Sequence, residues 1–204
     1  KNNLNFFKNE ILDFGKKNIW EINKIEVYSE KLEKENLLKF ENAKDGLFYM
    51  VKNDDFYLSL MNEVSKNKYF KKKLIKNKFF YQGLQKKNKY NLIINCDANN
   101  LLSNKFFTKK IDKDYHNLAY TTVLKHKKIK NNAATQIFTK DGPIAFLPIS
   151  NNETSVVYSI ETKIKKYSDS KVLDLINKNN SKYQIQKIIK LSSFKLSSSN
   201  LRNY

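Results

Sequence analysis

Residues 115–161 carry four segments rich in β-branched and aromatic residues: YHNLAYTTVLKH (115–126), AATQIFT (around 134–140), PIAFLPIS (143–150) and TSVVYSIE (154–161), with NN, KDG and SNNE between them. Runs of this kind, closed by Asn, Asp, Gly and Ser, are strands separated by turns. Parallel pairing would need crossovers of about a dozen residues, which these connections do not supply. An antiparallel meander is therefore expected here, and any helices must pack on it from elsewhere in the chain.

The flanking sequence supplies a few helices and further short strands. Leu4, Phe6, Phe7, Ile11, Leu12 and Phe14 recur at helical spacing within residues 1–18, and Gly15 stands where such a helix would stop. KIEVYSE alternates Ile25 and Val27 against Glu26 and Tyr28, and LLKFEN and LFYMV follow it as strands, together a small antiparallel group. Asp54 and Asp55 precede Phe56, Leu60, Met61 and Val64, the signature of an N-cap and an apolar helical face over 54–66. YFKKKLIK and KFFYQGL read as edge strands or loop. A helix is expected at DSKVLDLINK with Asp169 or Ser170 as its cap, then a strand in YQIQKIIKL, with LSSFKLSSSN as a connecting loop. The fold class is α+β, a mainly antiparallel sheet with a few helices.

Composition narrows the function classes. The formal charge is +19, yet Arg202 is the only arginine, and recognition of phosphates and bases favours the planar guanidinium fork. The lysines are spread through the chain beside many Asn and Ile residues, the pattern of solvated positions under a general compositional bias, so nucleic acid is not the expected partner. Cys96 is the only cysteine, which excludes an internal disulfide and fits a reducing compartment. No stretch approaches the roughly 18 apolar residues of a membrane span. The chain begins on Lys1 rather than Met, which reads as a segment of a longer chain.

Motifs for self-contained catalysis are missing. His116 and His126 stand ten apart with no further ligand at metal-binding spacing. No Gly-x-Ser-x-Gly elbow occurs, and Gly15, Gly46, Gly83 and Gly142 are too scattered to cradle a phosphate. One element does resemble a ligand-binding edge. NLIINCDANN (91–100) is an apolar run ending on Asp97, as a buried parallel strand does when it delivers a carboxylate to the carboxyl edge of an α/β sheet.

LIINCDANN and TKDGPIAFLPIS, taken together, resemble the middle section of the FAD-dependent aromatic hydroxylases of ubiquinone biosynthesis, which share the para-hydroxybenzoate hydroxylase fold. GLFYMVKNDDFYLSLM is similar to the family segment in which a Val-Glu-Asn-like strand end precedes a helix, with Val51, Lys52 and Asn53 in those places. The resemblance spans roughly residues 25–204. It implies the substrate-binding domain of a flavin monooxygenase with an adjoining FAD-domain strand: 1–90 linking to the FAD domain, 91–110 the FAD-domain strand, and 111–204 the substrate-binding sheet. In the family that strand ends in Asp-Gly followed by a serine and an arginine. Here Asp97 matches, Ala98 replaces the glycine, Leu101 stands at the serine and no arginine follows.

The resemblance also implies the chemistry. FAD and NAD(P)H are the expected cofactors, with Asp97, Ala98, Asn53 and Pro148 as cofactor contacts; catalytic residues are not identified. Tyr120, Phe138, Phe146 and Tyr158 are the expected substrate lining, and the substrate is a polyprenylated phenol taken from a membrane. The protein is then cytoplasmic, with peripheral contact to the inner membrane through its lysines. Three alternatives stay open: a degenerate non-catalytic relative, a basic non-enzymatic binding module, and a hydroxylase of a small soluble aromatic.

Overall fold

The structure is a computed structural model that describes residues 2–15, 18–30, 35–42, 44, 46–74, 90–97, 100–106, 109–162 and 167–201. The chain divides into two compact units, Lys1–Lys68 with His116–Leu196, and Tyr69–Tyr115 with Ser197–Tyr204.

In the first unit the sheet is built from β2 (Lys24–Ser29), β3 (Asn36–Glu41), β5 (Lys110–His126, of which the part from His116 belongs to this unit), β6 (Ala133–Thr139), β7 (Gly142–Pro148) and β8 (Glu153–Glu161). Its order is β5-β8-β7-β6-β2-β3; β9 (Ile185–Ile188) also pairs with β5, and β10 (Ser192–Leu201) flanks β5. The expected meander therefore holds only for β6, β7 and β8. The chain between β5 and β6 instead passes the ends of β8 and β7, so β5 lies beside β8 in a Greek-key arrangement. β2 pairs parallel with β6, from Lys24↔Ala133 to Ser29↔Phe138, and this pairing brings β2 and β3 into the main sheet.

Strand alternation makes the two sheet faces unequal. In register across one face lie Tyr28, Ile137, Ile144, Tyr158 and Tyr120, and beside them Glu26, Thr135, Phe146, Val156 and Thr122. Helix α4 (Asp169–Asn179) contributes Val172, Leu175 and Ile176, spaced as one helical stripe, to the buried cluster formed on this face. The cap of α4 is Ser168, one residue before the expected Asp169; its Oγ accepts from the Lys171 amide at 3.3 Å.

Several other expectations need correction. The amino-terminal helix is α1 (Asn2–Phe6) continued by a π-helical turn over Phe7–Ile11, and it stops at Leu12 in extended backbone, before Gly15. The strand β1 (Ile19–Ile22), not anticipated, pairs with β4 (Phe48–Val51), so the three amino-terminal strand candidates do not form one group. Helix α2 (Asn53–Ser65) starts earlier than expected and has no side-chain cap; Asp54 and Asp55 sit in its first turn, where carboxylates favour the helix dipole. The serine-rich LSSFKLSSSN is not a loop, since Ser192–Leu201 is a strand.

The second unit shows the largest departure. Residues 90–97 form no strand, and Leu92 and Ile94 are 75% and 77% exposed. A parallel strand is stable only where neighbouring strands take up its backbone groups, and among the described residues no strand forms a ladder with this run. Helix α3 (Leu101–Phe106) follows it, and further on the Tyr115 hydroxyl donates to Ser198 Oγ at 3.3 Å. The KFFYQGL segment lies outside the described residues. No helix among the described residues is long and apolar enough to cross a membrane.

Candidate functional site

The sheet face opposite α4 carries the candidate site. Leu38, Val27, Gln136, Ala145, Val157 and Thr121 follow one another in register across it, half-buried except for the exposed Leu38. Phe138, opposite Pro143 on this face, is 46% exposed. Small side chains at Ala145, Ser155 and Ser159 leave the backbone close to whatever approaches, while Val157, Leu147 and Val123 keep the surface apolar. A flat apolar surface with a few hydroxyl and amide groups is suited to an aromatic ring, which gains area against the strands and orientation from the polar groups.

Local chemistry fixes this ribbon. Gly142 has φ +134°, and a Cβ there would stand 2.0 Å from the Ser159 carbonyl oxygen, so only glycine permits β7 to begin so close to β8. The Thr139 hydroxyl donates to the Gly142 carbonyl at 2.7 Å and accepts from the Asp141 amide at 3.2 Å, closing the KDG turn. At the other end, the Ile149 and Ser150 amides both donate to the Glu153 carbonyl, at 3.0 and 3.1 Å, and make the second hairpin.

The expected lining residues do not share one surface. Tyr120, Phe146 and Tyr158 lie on the α4-covered face with 5%, 2% and 0% exposure, whereas Phe138 alone lies on the open face. Sequence alternation distinguishes two faces but does not say which one a helix covers, and the larger aromatics went to the covered one. Tyr158 shares its hydroxyl with Thr139 Oγ1 at 3.0 Å, and burial pushes its phenol up from the ordinary value. Pro148 is also buried on the covered face, opposite Thr154.

The remaining expected contacts fall elsewhere. Asn53 opens α2 and lines an aromatic cavity of about 410 Å³ formed with Phe7, Phe14, Tyr49 and Phe56. Asp97 is exposed in the second unit, and its backbone carbonyl accepts from Asn95 Nδ2 at 3.3 Å and from the Ser103 hydroxyl. Asn100 Oδ1 receives the Ser103 amide at 2.9 Å, so a small Asn95, Asn100 and Ser103 network ties Asp97 to α3. Ser103 thus supplies a hydroxyl beside Asp97, two residues after the position at which the family pattern expects one. Ala98 lies outside the described residues. Among the described residues no group of three His, Cys, Asp or Glu side chains could hold a metal.

The polar hub of the first unit was not visible in the sequence. Asn131, wholly buried on the connection from β5 to β6, donates to the Ser150 carbonyl at 2.8 Å and to Thr154 Oγ1 at 2.9 Å, and accepts from the Tyr183 hydroxyl at 3.1 Å. Trp20 Nε1 donates to its carbonyl at 2.7 Å, and His126 lies beside Thr154 Oγ1 at 3.0 Å with its ring centroid 4.5 Å from that of Tyr183. His126 is therefore a satisfied structural histidine of the hub.

No protein-family model matches the chain, and no curated protein does. Solved structures do match. A tetracycline destructase, Tet(51), superimposes with a TM-score of 0.50 at 8% identity over 98% of this chain. At this identity the likeness concerns the fold alone, an α+β fold with a mainly antiparallel sheet and few helices. The chain spans 57% of the length of the structure it matches.

Proposed function

We propose that this chain forms the substrate-binding part of a flavin-dependent monooxygenase, with the sheet face opposite α4 as the roof over an aromatic substrate. The observation that carries this reading is the open face itself: small and apolar side chains at Ala145, Val157 and Val123 in a sheet whose other face packs on α4, in a fold shared with a flavin-dependent class. The residues fit one side of a flat cofactor but do not hold its phosphates. Gly142 serves the β7 turn, and no glycine-rich loop is present in the sequence to receive a pyrophosphate.

FAD, when bound, would supply the reduction of oxygen and its transfer to an electron-rich ring, with NAD(P)H as the source of electrons. This chain's own residues exclude water through Val157, Leu147 and Val123 and orient the ring through Gln136, Thr121 and Ser155. The finer reading assigns a polyprenylated phenol of ubiquinone biosynthesis as substrate and peripheral contact of a cytoplasmic protein with the inner membrane; it rests on the GPIAFLP and LIINCD resemblance. A degenerate relative is favoured by one feature, Ala98 and Leu101 standing where the family pattern has glycine and serine.

The test is an absorbance spectrum of the whole purified protein followed by nicotinamide oxidation. A flavin spectrum and NAD(P)H consumption stimulated by a prenylated phenol support the enzyme, and stimulation by a short phenol alone moves the substrate to a soluble aromatic. A colourless folded protein that takes up no added FAD overturns the flavin reading.

A further inference from the structure

A second cavity, of about 270 Å³, opens on the opposite side of the sheet from the proposed roof. Tyr28, Ile137 and Phe146 line it from three strands, Asn179 lines it from the last turn of α4, and Tyr183 from the turn that follows. The rings of Phe146 and Tyr183 stand 6.0 Å apart and 34° from parallel, so the cavity offers flat aromatic walls.

Its polar groups are unevenly satisfied. Asn179 is only 5% exposed, and its Nδ2 donates to the Leu175 carbonyl at 2.9 Å, which fixes the orientation of the amide. Its Oδ1 accepts no hydrogen bond from any described residue, although a buried acceptor left unpaired costs on the order of 1–3 kcal/mol. Asn180, by contrast, is saturated: its side chain donates to the Tyr183 carbonyl and accepts the Lys182 and Tyr183 amides. The Glu26 carboxylate on the cavity wall is already neutralised by Lys24 at 2.5 Å. The groups left to a ligand inside the cavity are therefore apolar walls and an acceptor, and the Lys182 ammonium, 5.4 Å from the Tyr183 ring centroid, stands at the mouth.

We propose that this cavity binds a small neutral aromatic molecule, of one or two fused rings, that donates an N–H or O–H hydrogen bond to Asn179 Oδ1. The site is separate from the roof used in the proposed oxygenase reading and stands whether or not that reading does. The ring packs on Ile137, Phe146 and Tyr183, and the mouth lies at the exposed Ser181 and Lys182.

Indole and benzofuran form the discriminating pair, because they share shape and differ by one N–H donor. Calorimetric titration of the whole protein without added flavin should show saturable binding of indole, with a Kd of about 1 mM or tighter, and binding of benzofuran weaker by about tenfold. The Asn179→Leu variant should bring the two ligands to the same affinity. The exposed Ser181→Trp variant, which fills the mouth without entering the core, should abolish indole binding. Equal affinity of the two ligands for the unmodified protein overturns the donor assignment, and indole binding that survives Ser181→Trp overturns the site. No saturable binding of indole overturns the proposal whatever the flavin measurements show.

Discussion

The Tyr183 hydroxyl donates a hydrogen bond of 3.1 Å to Asn131 Oδ1, joining the turn after α4 to the connection that carries the chain from β5 across to β6. Both residues are buried, so water cannot replace either partner. Tyr183→Phe keeps the ring against His126 and Phe146 but leaves the Asn131 oxygen unpaired. A loss of about 1–3 kcal/mol in urea denaturation is expected. Asn131→Leu removes the donors to Ser150 and Thr154 as well, and its loss should be the larger of the two.

Gly142 makes a sharper prediction. With φ at +134° and the Ser159 carbonyl in the place a Cβ would take, Gly142→Ala must bend β7 away from β8 or strain the backbone. A destabilisation on the order of 3 kcal/mol is expected, read as a lowered urea midpoint with an unchanged slope.

Tyr167 donates to Asp141 Oδ1 at 2.7 Å, and that hydrogen bond, first among the causes, raises its pKa to about 12. A neutral phenol favoured in the folded state contributes stability that is complete below its unfolded pKa of about 10 and lost as pH rises through the folded value. The tyrosinate absorbance step assigned by difference with Tyr167→Phe should therefore fall near pH 12. Asp141→Asn should move it down.

Glu153 behaves in the opposite sense. Lys52 donates to its carboxylate at 2.6 Å, Lys125 lies 3.5 Å away, and the Lys52 hydrogen bond leads the causes that hold its pKa below the usual carboxylate range. Its stabilising contribution is present above the unfolded pKa of about 4.3 and disappears as pH falls through the folded value. Acid unfolding of Glu153→Gln should consequently be less steep than that of the unmodified protein, and Lys52→Ala should reproduce most of the difference.

Local chemistry wrote much of this fold into the sequence. Lys140, Asp141 and Gly142 announce a hairpin because their turn needs a left-handed glycine, and alternation through β7 and β8 survives as alternating burial. What stayed hidden depends on partners. The short Ile19–Ile22 strand is recognisable only beside β4, and the serines of Ser192–Leu201 form a strand because of their position, not their propensity. Residues 90–97 show the converse, an apolar run with every local feature of a strand that joins no sheet among the described residues. The hub escaped notice because Asn131, Thr154 and Tyr183 are polar residues separated by 23 and more positions, and no spacing rule joins them.

Adjacent residues Ala145 and Phe146 separate the two roles of the sheet. Phe146 is 2% exposed beneath α4, so Phe146→Ala should destabilise the protein by about 3–5 kcal/mol through the cavity it leaves. Ala145 points the other way, into the half-exposed row with Gln136 and Val157. Ala145→Trp should leave the urea midpoint nearly unchanged while blocking the flat surface on which the proposed substrate lies. In the whole protein it should raise the KM for a phenolic substrate at least about tenfold, a loss of about 1.4 kcal/mol in binding. If Ala145→Trp instead unfolds the protein as Phe146→Ala does, the face opposite α4 is a packed interior, and the substrate roof must be sought elsewhere.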